Sequence, residues 1–347
     1  MKLKEIINLA TQSDTLEMEK TKAKWNTLAK PLYGMGIMED YVTKISGINS
    51  DIDISKRCVA VMCSDNGVVE ENVTQTGADV TALIAENMVN SQASITNIAQ
   101  VANTHVFLYD VGMLTEVNGV ENRKIRSGSR NFAKEAAMSK EEAEKTICTG
   151  INIVKELKEK GYSLIASGEM GIGNTSTSSA IASILLNTSP EIVTGRGAGL
   201  SNEGVVHKAE VIKNAIEFLK PNPYEPIDVL SKVGGFDIAA MCGLFLGGAV
   251  YKVPIIIDGL ISSVAALLAF RICPYSKDYM LPSHVSAEPA AQMILSELGF
   301  VAPLNCKMAL GEGTGAVSLI PLLDMAIAVY KNMPTFEHLN VDEYKPL

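Results

Sequence analysis

Aromatic residues are scarce, 5% of 347, with a single tryptophan, Trp25. A core with few rings is filled by Ala, Ile, Val and Gly, and such small aliphatic side chains suit helices packed closely on a parallel sheet. Basic tracts are missing too. Lys and Arg number 30 against 39 Asp and Glu, a formal charge of −9. That balance argues against nucleic acid or an anionic membrane as a partner, so any bound phosphate must be held locally. The six cysteines, Cys58, Cys63, Cys148, Cys242, Cys273 and Cys306, include no CxxC pair. Reduced thiols are expected, not a zinc site or a disulfide frame. The longest apolar stretches, Phe236–Val250 and Val253–Phe270, are interrupted by Asp237 and Asp258. Neither reaches the roughly 20 uninterrupted apolar residues of a membrane span. The first 20 residues alternate charge with apolar positions and hold no leader-like hydrophobic segment, so a cytoplasmic protein is expected.

What the chain does have is apolar mass. A hydrophobic share of 47% against 20% charged supports a sizeable core and excludes disorder. At roughly 100–200 residues per domain, the length predicts two domains, or one large α/β body with an appendage. The first 50 residues are polar and helix-periodic. Leu16–Leu28 carries mixed charge around Met18 and Trp25, and Lys30–Pro31 breaks it. From Cys58 the rhythm changes to short β-branched runs that end in Gly- or Asp-bearing turns. CVAVMCS leads to DNG, HVFLYD to VG, SLIAS to GEMGIGN, PIIID to G, and NCKMAL to GEGTG. Runs of about five apolar residues with helical stretches between them predict parallel strands joined by crossover helices. Pro321–Asn332 reads as helix again. Because Gly, Asp, Glu, Asn and Ser/Thr cluster just after the predicted strands, several loops are expected to meet in one crevice at the strands' carboxyl ends.

Two loops carry most of the chemistry. Gly168–Ser179 (GEMGIGNTSTSS) lies between a predicted strand and the apolar helix Ala180–Leu186. Its glycines let the backbone approach a ligand, and a helix start offers free N–H groups to a phosphate. The alternative is a tight turn with a Ser or Thr cap. Leu310–Ala316 (LGEGTGA) also reads as a strand end. Glu312, flanked by glycines, can project into a crevice, where burial raises its pKa as a general base requires. The alternative is a solvated turn glutamate. Gly195–Gly204 (GRGAGLSNEG) is a second glycine-rich loop, followed by His207 and Lys208. Lys208 can supply a point charge to a phosphate, or be one more solvated cation. Asp258 of IIIDG can bind two ribose hydroxyls, or cap the next helix. In SHVSAEP, Ser286 and His284 are candidates, although a lone histidine is more often packed than catalytic.

Exclusions narrow the reaction. No Lys follows the second Gly of GEMGIGN as a P-loop requires, and no GxGxxG opens a helix as a nicotinamide-dependent dehydrogenase requires. No GxSxG elbow, HExxH or kinase set occurs. A phosphate cradle, a ribose-grade aspartate and one base candidate suit transfer of a ribosyl phosphate.

The ordered set GEMGIGNTS, GRGAGLSNEG, VGGFDIAAM, IIIDGLISSVAAL, SHVSAEP and LGEGTGA resembles the nicotinate-nucleotide:dimethylbenzimidazole phosphoribosyltransferases of cobamide biosynthesis, the CobT family. CSDNGVVEENVTQTG and SGSRNFAKEAAM are similar to two further family segments, and the resemblance runs from about Ala29 to Leu323. It implies an α/β fold, a Rossmann-like parallel sheet flanked by helices, with a small helical domain from both chain termini. Residues 1–54 plus 318–347 would form the small domain, and 55–317 the large one carrying the active site. It implies a homodimer, no metal, no cofactor, and two small-molecule substrates, nicotinate mononucleotide and a lower-ligand base. Nicotinate leaves as its pyridinium nitrogen becomes neutral, so the leaving group needs no metal.

Carried over by position, Glu312 matches the general base, with Gly313, Thr314 and Gly315 binding substrate beside it. Glu169 and Met170 match the base pocket, and Gly171, Gly173, Asn174 and Thr175 line the substrate site. Lys208, Asp258 and Ser286 stand at nucleotide contacts. The chain departs from the pattern at Asp65–Asn66, where the family has Asp-His, at Pro31–Gly36, and at Ala136 and Ala290. Tyr33 and the Thr74–Gln75–Thr76 stretch are expected to shape the acceptor pocket, with Thr76 a substrate contact. Some members use a phenol or a purine as acceptor. A non-catalytic partner subunit would be expected to have lost Glu312 or the phosphate loop; this chain keeps both.

Overall fold

The computed structural model describes residues 2–344; Met1 and 345–347, which belong to the expected terminal domain, lie outside the described residues. Six parallel strands form one sheet: β1 (Arg57–Ser64), β2 (His105–Gly112), β3 (Glu121–Asn122), β4 (Leu164–Met170), β5 (Ile255–Ile257) and β6 (Met280–Pro282). Their order is β3-β2-β1-β4-β5-β6, the order of Rossmann-type sheets, which reverses direction between β1 and β4. The expected α/β class with a parallel sheet flanked by helices is therefore what the chain forms.

Both faces of the sheet's centre are covered, so β1, β4, β5 and β6 are buried almost throughout and alternate residues feed opposite cores, while edge strand β3 is exposed. In β1, Cys58, Ala60 and Met62 join one cluster, with helices Lys140–Glu159, Phe236–Tyr251 and Leu260–Ile272. Val59, Val61 and Cys63 join the other, with helices Ile37–Ile48, Ser94–Val101 and Thr314–Asn332. On the first face, helices Lys140–Glu159 and Phe236–Tyr251 touch backbone to backbone. A Cβ on Gly150 would collide with the Ala240 carbonyl, and one on Gly243 with the Ile147 carbonyl. Here the shortage of aromatics is put to use: small residues let helices approach.

Helices Thr15–Thr27 and Thr314–Asn332, from opposite ends of the chain, pack onto the second face, whereas Leu3 and Ile6 of the first helix, Leu3–Ile7, join the core of the first face. Trp25 of helix Thr15–Thr27 packs against Tyr330 of helix Thr314–Asn332, the rings tilted at 55° with centroids 5.0 Å apart. Both rings sit in the same cluster as Val59 and Leu164 of the sheet. Helix Thr314–Asn332 is long and apolar enough to cross a membrane, but Val317, Leu319, Ile320 and Leu323 are buried in that core. The helix also begins seven residues before Pro321, where helix was expected to start; Pro321 is accommodated inside it.

One predicted strand does not form. Asn305–Leu310 (NCKMAL) is a loop running beside Ser283–Ala287, to which Leu304 and Met308 hydrogen-bond. Lys307 takes φ +56, which no strand tolerates, and Asn305, Cys306, Lys307, Ala309 and Leu310 are exposed. The edge position belongs to β6. The Gly-Glu-Gly turn therefore follows a loop, not a strand as expected.

Candidate active site

A cavity of about 290 Å³ opens at the carboxyl ends of β4 and β5, beside the point where strand order reverses. Its wall takes in Thr76, Glu169, Met170, Gly171, Asn174, Thr175, Asp258, Ser286, Glu312 and Thr314. Gly173, Gly313 and Gly315 are buried next to these residues in the chain. Lys208 lies under the wall. The loops that the sequence singled out do converge.

Glu312 sits on a turn whose three residues, Gly311, Glu312 and Gly313, have φ of 86°, 61° and 88°. The glycines adopt this left-handed conformation freely, whereas Glu312 is held in it against its own preference. The turn presses on the end of β4, since a Cβ on Gly168 would lie 2.7 Å from the Glu312 carbonyl oxygen. Glu312 Oε2 accepts the Ile95 N–H at 3.1 Å, from the start of helix Ser94–Val101. Oε1 makes no hydrogen bond among the described residues. Burial raises the carboxyl's pKa, the Ile95 N–H opposes that rise, and the nearby Asp258 charge adds to it. A half-buried carboxylate with one oxygen anchored and one free has the form of a general base. Ile95 could not be found from the sequence, because it contributes only its backbone.

Behind Glu312 lies a second carboxyl. Glu169, near the end of β4, is buried and its pKa is pushed up to about 8, by burial first and then by the Asp237 charge. The Asn174 side-chain amide donates to Glu169 Oε2 and, at 3.1 Å, to Asp237 Oδ2. Asp237 is fully buried, its pKa pushed up to about 6 by burial, and it also accepts its neighbour's Ile238 N–H at 2.9 Å. Asp237 stands in VGGFDIAAM, where nothing in the residue spacing marks it as part of a site.

At the other end of the cavity, Gly173 (φ 92) caps helix Asn174–Leu185, which begins six residues earlier than expected and so places Asn174 and Thr175 in its first turn. The Lys208 ammonium, buried beneath this turn, donates to Thr175 Oγ1 at 2.7 Å and to the Gly195 carbonyl at 3.5 Å. Burial pulls its pKa down to about 8, against the pull of the Glu288 charge. Lys208 is thus not a solvated surface cation. Glu288, on the cavity wall, accepts the Gly197 N–H at 3.1 Å. It lies two residues beyond Ser286 in SHVSAEP, where its spacing alone carries no signal of a site role.

Asp258 proves to be a cap, though of a distant helix. Its carboxylate accepts the Gly313 N–H at 3.3 Å and the Ala316 N–H at 2.9 Å, at the start of helix Thr314–Asn332. Burial raises its pKa, and the adjacent His284 offsets part of the rise. His284 Nδ1 lies 3.0 Å from Ser283 Oγ, and its ring fills the space that a Cβ on Gly315 would need. Ser286 Oγ faces the Glu288 N–H at 3.4 Å. Thr76, on an exposed loop, is joined to the opposite rim when its neighbour Gln75 donates to the Gly199 carbonyl. No group of three His, Cys, Asp or Glu among the described residues is placed to hold a metal ion.

The chain is similar to known proteins in sequence and in fold. Residues 10–341 match a family described as phosphoribosyltransferase. The chain is 44% identical to the nicotinate-nucleotide–dimethylbenzimidazole phosphoribosyltransferase of Clostridium acetobutylicum, with 100% of both chains covered. It is 43% identical, again over 100% of both, to the protein of that name from Ruminiclostridium cellulolyticum. The fold is similar to the crystal structure of CobT from Thermus thermophilus, with a TM-score of 0.89 and 32% identity, covering 94% of this chain and 99% of that one.

Proposed function

The chain belongs to the nicotinate-nucleotide–dimethylbenzimidazole phosphoribosyltransferase family, and we propose that it moves phosphoribose from nicotinate mononucleotide to 5,6-dimethylbenzimidazole or a related lower-ligand base. The products are an α-ribazole 5′-phosphate and nicotinate, a step in cobamide nucleotide-loop synthesis. Glu312 carries this reading: a half-buried carboxylate on a left-handed turn, with one oxygen unpaired, in the cavity wall.

The acceptor nitrogen attacks the anomeric carbon from the face opposite nicotinate. The carbon–nitrogen bond to nicotinate breaks, and its electron pair neutralises the pyridinium. Glu312 takes the proton from the acceptor's other nitrogen, and configuration inverts from β to α. Lys208 and the first turn of helix Asn174–Leu185 attract the 5′-phosphate, while Met170, Glu169 and Thr76 border the acceptor. Mass spectrometry after mixing nicotinate mononucleotide with 5,6-dimethylbenzimidazole tests this; α-ribazole 5′-phosphate and free nicotinate should appear together. Absence of both would reject the proposal.

Acceptor choice follows from the same arrangement. Glu312 can deprotonate an azole or a phenol, so selectivity has to come from the pocket, where apolar shape alone gives about 1–3 kcal/mol per methylene. A broad acceptor range is expected, with benzimidazoles preferred over purines and phenols. Competing two acceptors in one tube and reading the product ratio checks it. If p-cresol outcompetes every benzimidazole, the preference is wrong although the transfer stands. The proposal also includes a cytoplasmic homodimer and a small domain drawn from both chain ends; the mass in solution from light scattering tests the dimer.

A further inference from the structure

Asp237 does not line the cavity, yet it shares one amide with a carboxyl that does. We infer that Asp237 is a positioning residue acting through Glu169: with Asn174 it fixes the Glu169 carboxyl and keeps the pair's proton there, while Glu169 braces the turn that carries Glu312. The brace is visible in the packing: Glu169 Oε1 occupies the space that a side chain on Gly311, the residue before Glu312, would need.

The surroundings decide where the proton resides. Asp237 accepts from Asn174 and from the Ile238 N–H in the first turn of the 16-residue helix Phe236–Tyr251, an arrangement that favours a charged carboxylate. Glu169 has the shared Asn174 amide as its one hydrogen-bond donor and otherwise faces acidic groups, Asp237, Asp258 and the Cys63 thiol. Two uncompensated charges in so small a buried volume are strongly disfavoured, so one proton stays, and it stays on Glu169. The direction of the two pKa values agrees, about 8 for Glu169 and about 6 for Asp237. Without the Asp237 charge, Glu169 ionises more readily and sets a second negative charge behind the base.

This inference rests on the transferase reading, so wild-type product formation is measured first; its absence would reject that reading before this one is tested. Kinetics are then compared for wild type, Asp237→Asn, Glu169→Gln and the double variant. Asp237→Asn is expected to lower kcat about 10- to 30-fold with donor KM nearly unchanged. In the Glu169→Gln background, where no second charge can form, the loss should be under about threefold. Equal fold-losses in the two backgrounds would overturn the inference. If Asp237→Asn does not fold, infrared difference spectroscopy of wild type against Glu169→Gln at neutral pH reads the proton directly. A carboxylic-acid C=O band lost with Glu169 supports the inference; no such band overturns it.

Discussion

Glu312→Gln is expected to lower kcat by about 10²–10⁴ while leaving the donor KM within a few-fold. Glutamine keeps the size of the side chain and can still accept the Ile95 N–H, so the left-handed turn and the cavity wall should survive. What it lacks is basicity at Oε1, where the acceptor's proton would go. Single-turnover measurement with saturating donor isolates the chemical step, and wild-type turnover in this variant would reject Glu312 as the base.

The pH dependence gives the same test a sign. The Glu312 pKa is raised above the ordinary carboxylate range, by burial first. Catalysis needs the ionised form, so the rate should fall as pH drops through that raised value, and the variant should lack this acid limb. Stability runs the opposite way. A carboxyl whose pKa is higher in the folded protein binds more protons there, so the native state loses stability as pH rises through the interval between the unfolded and folded values. Glutamine removes that loss, as it removes the charge. The urea midpoint of the variant at neutral pH should equal or exceed the wild type's, a trade of stability for activity.

The parts of the fold that could be read in the chain are those where one local signal decides. β1 and β4 are buried on both faces, so uninterrupted CVAVMCS and LIAS were sufficient to reveal them. β5 was readable for the same reason, through PIIID. Met280–Pro282 escaped because a three-residue strand ending in proline has too little pattern to register. Asn305–Leu310 misled because its alternation is strand-like, whereas its backbone serves as a connection to the Gly-Glu-Gly turn. Local periodicity cannot tell a strand from an extended loop beside Ser283–Ala287.

The candidate site was readable in its loops but not in its wiring. Glycine-flanked Glu312, the GEMGIGN loop and Lys208 stand out as residue types in unusual settings. Their partners do not. Asp258 reads as a ribose ligand or a cap for the helix after it; in the fold it stands in the cavity wall, and the helix it caps is more than fifty residues further along the chain. Asp237 looks like an ordinary acidic start to an apolar helix, and only the fold brings it to Asn174. Such pairings depend on tertiary register, which no spacing in one sequence records.

Lys208→Met should weaken nicotinate mononucleotide about 10- to 100-fold, in line with loss of a charge-assisted hydrogen bond, and nicotinate riboside less than about threefold. Methionine is the informative choice because Lys208 is fully buried; alanine would add a cavity to the lost charge. The ammonium holds Thr175 at the start of helix Asn174–Leu185 and the Gly195 carbonyl of the glycine-rich loop. A 5′-phosphate at that helix start meets the helix N–H groups and this one cation together. Burial has already lowered the Lys208 pKa to about 8. Nucleotide affinity in the wild type should therefore fall as pH rises through that value and the ammonium loses its proton. In the variant, that decline should be absent. Isothermal titration of both ligands across this range separates the two roles open to a buried lysine. Equal losses for nucleotide and riboside, with no change in the pH dependence, would mean that Lys208 only holds the loop in place and that the phosphate is bound by backbone alone.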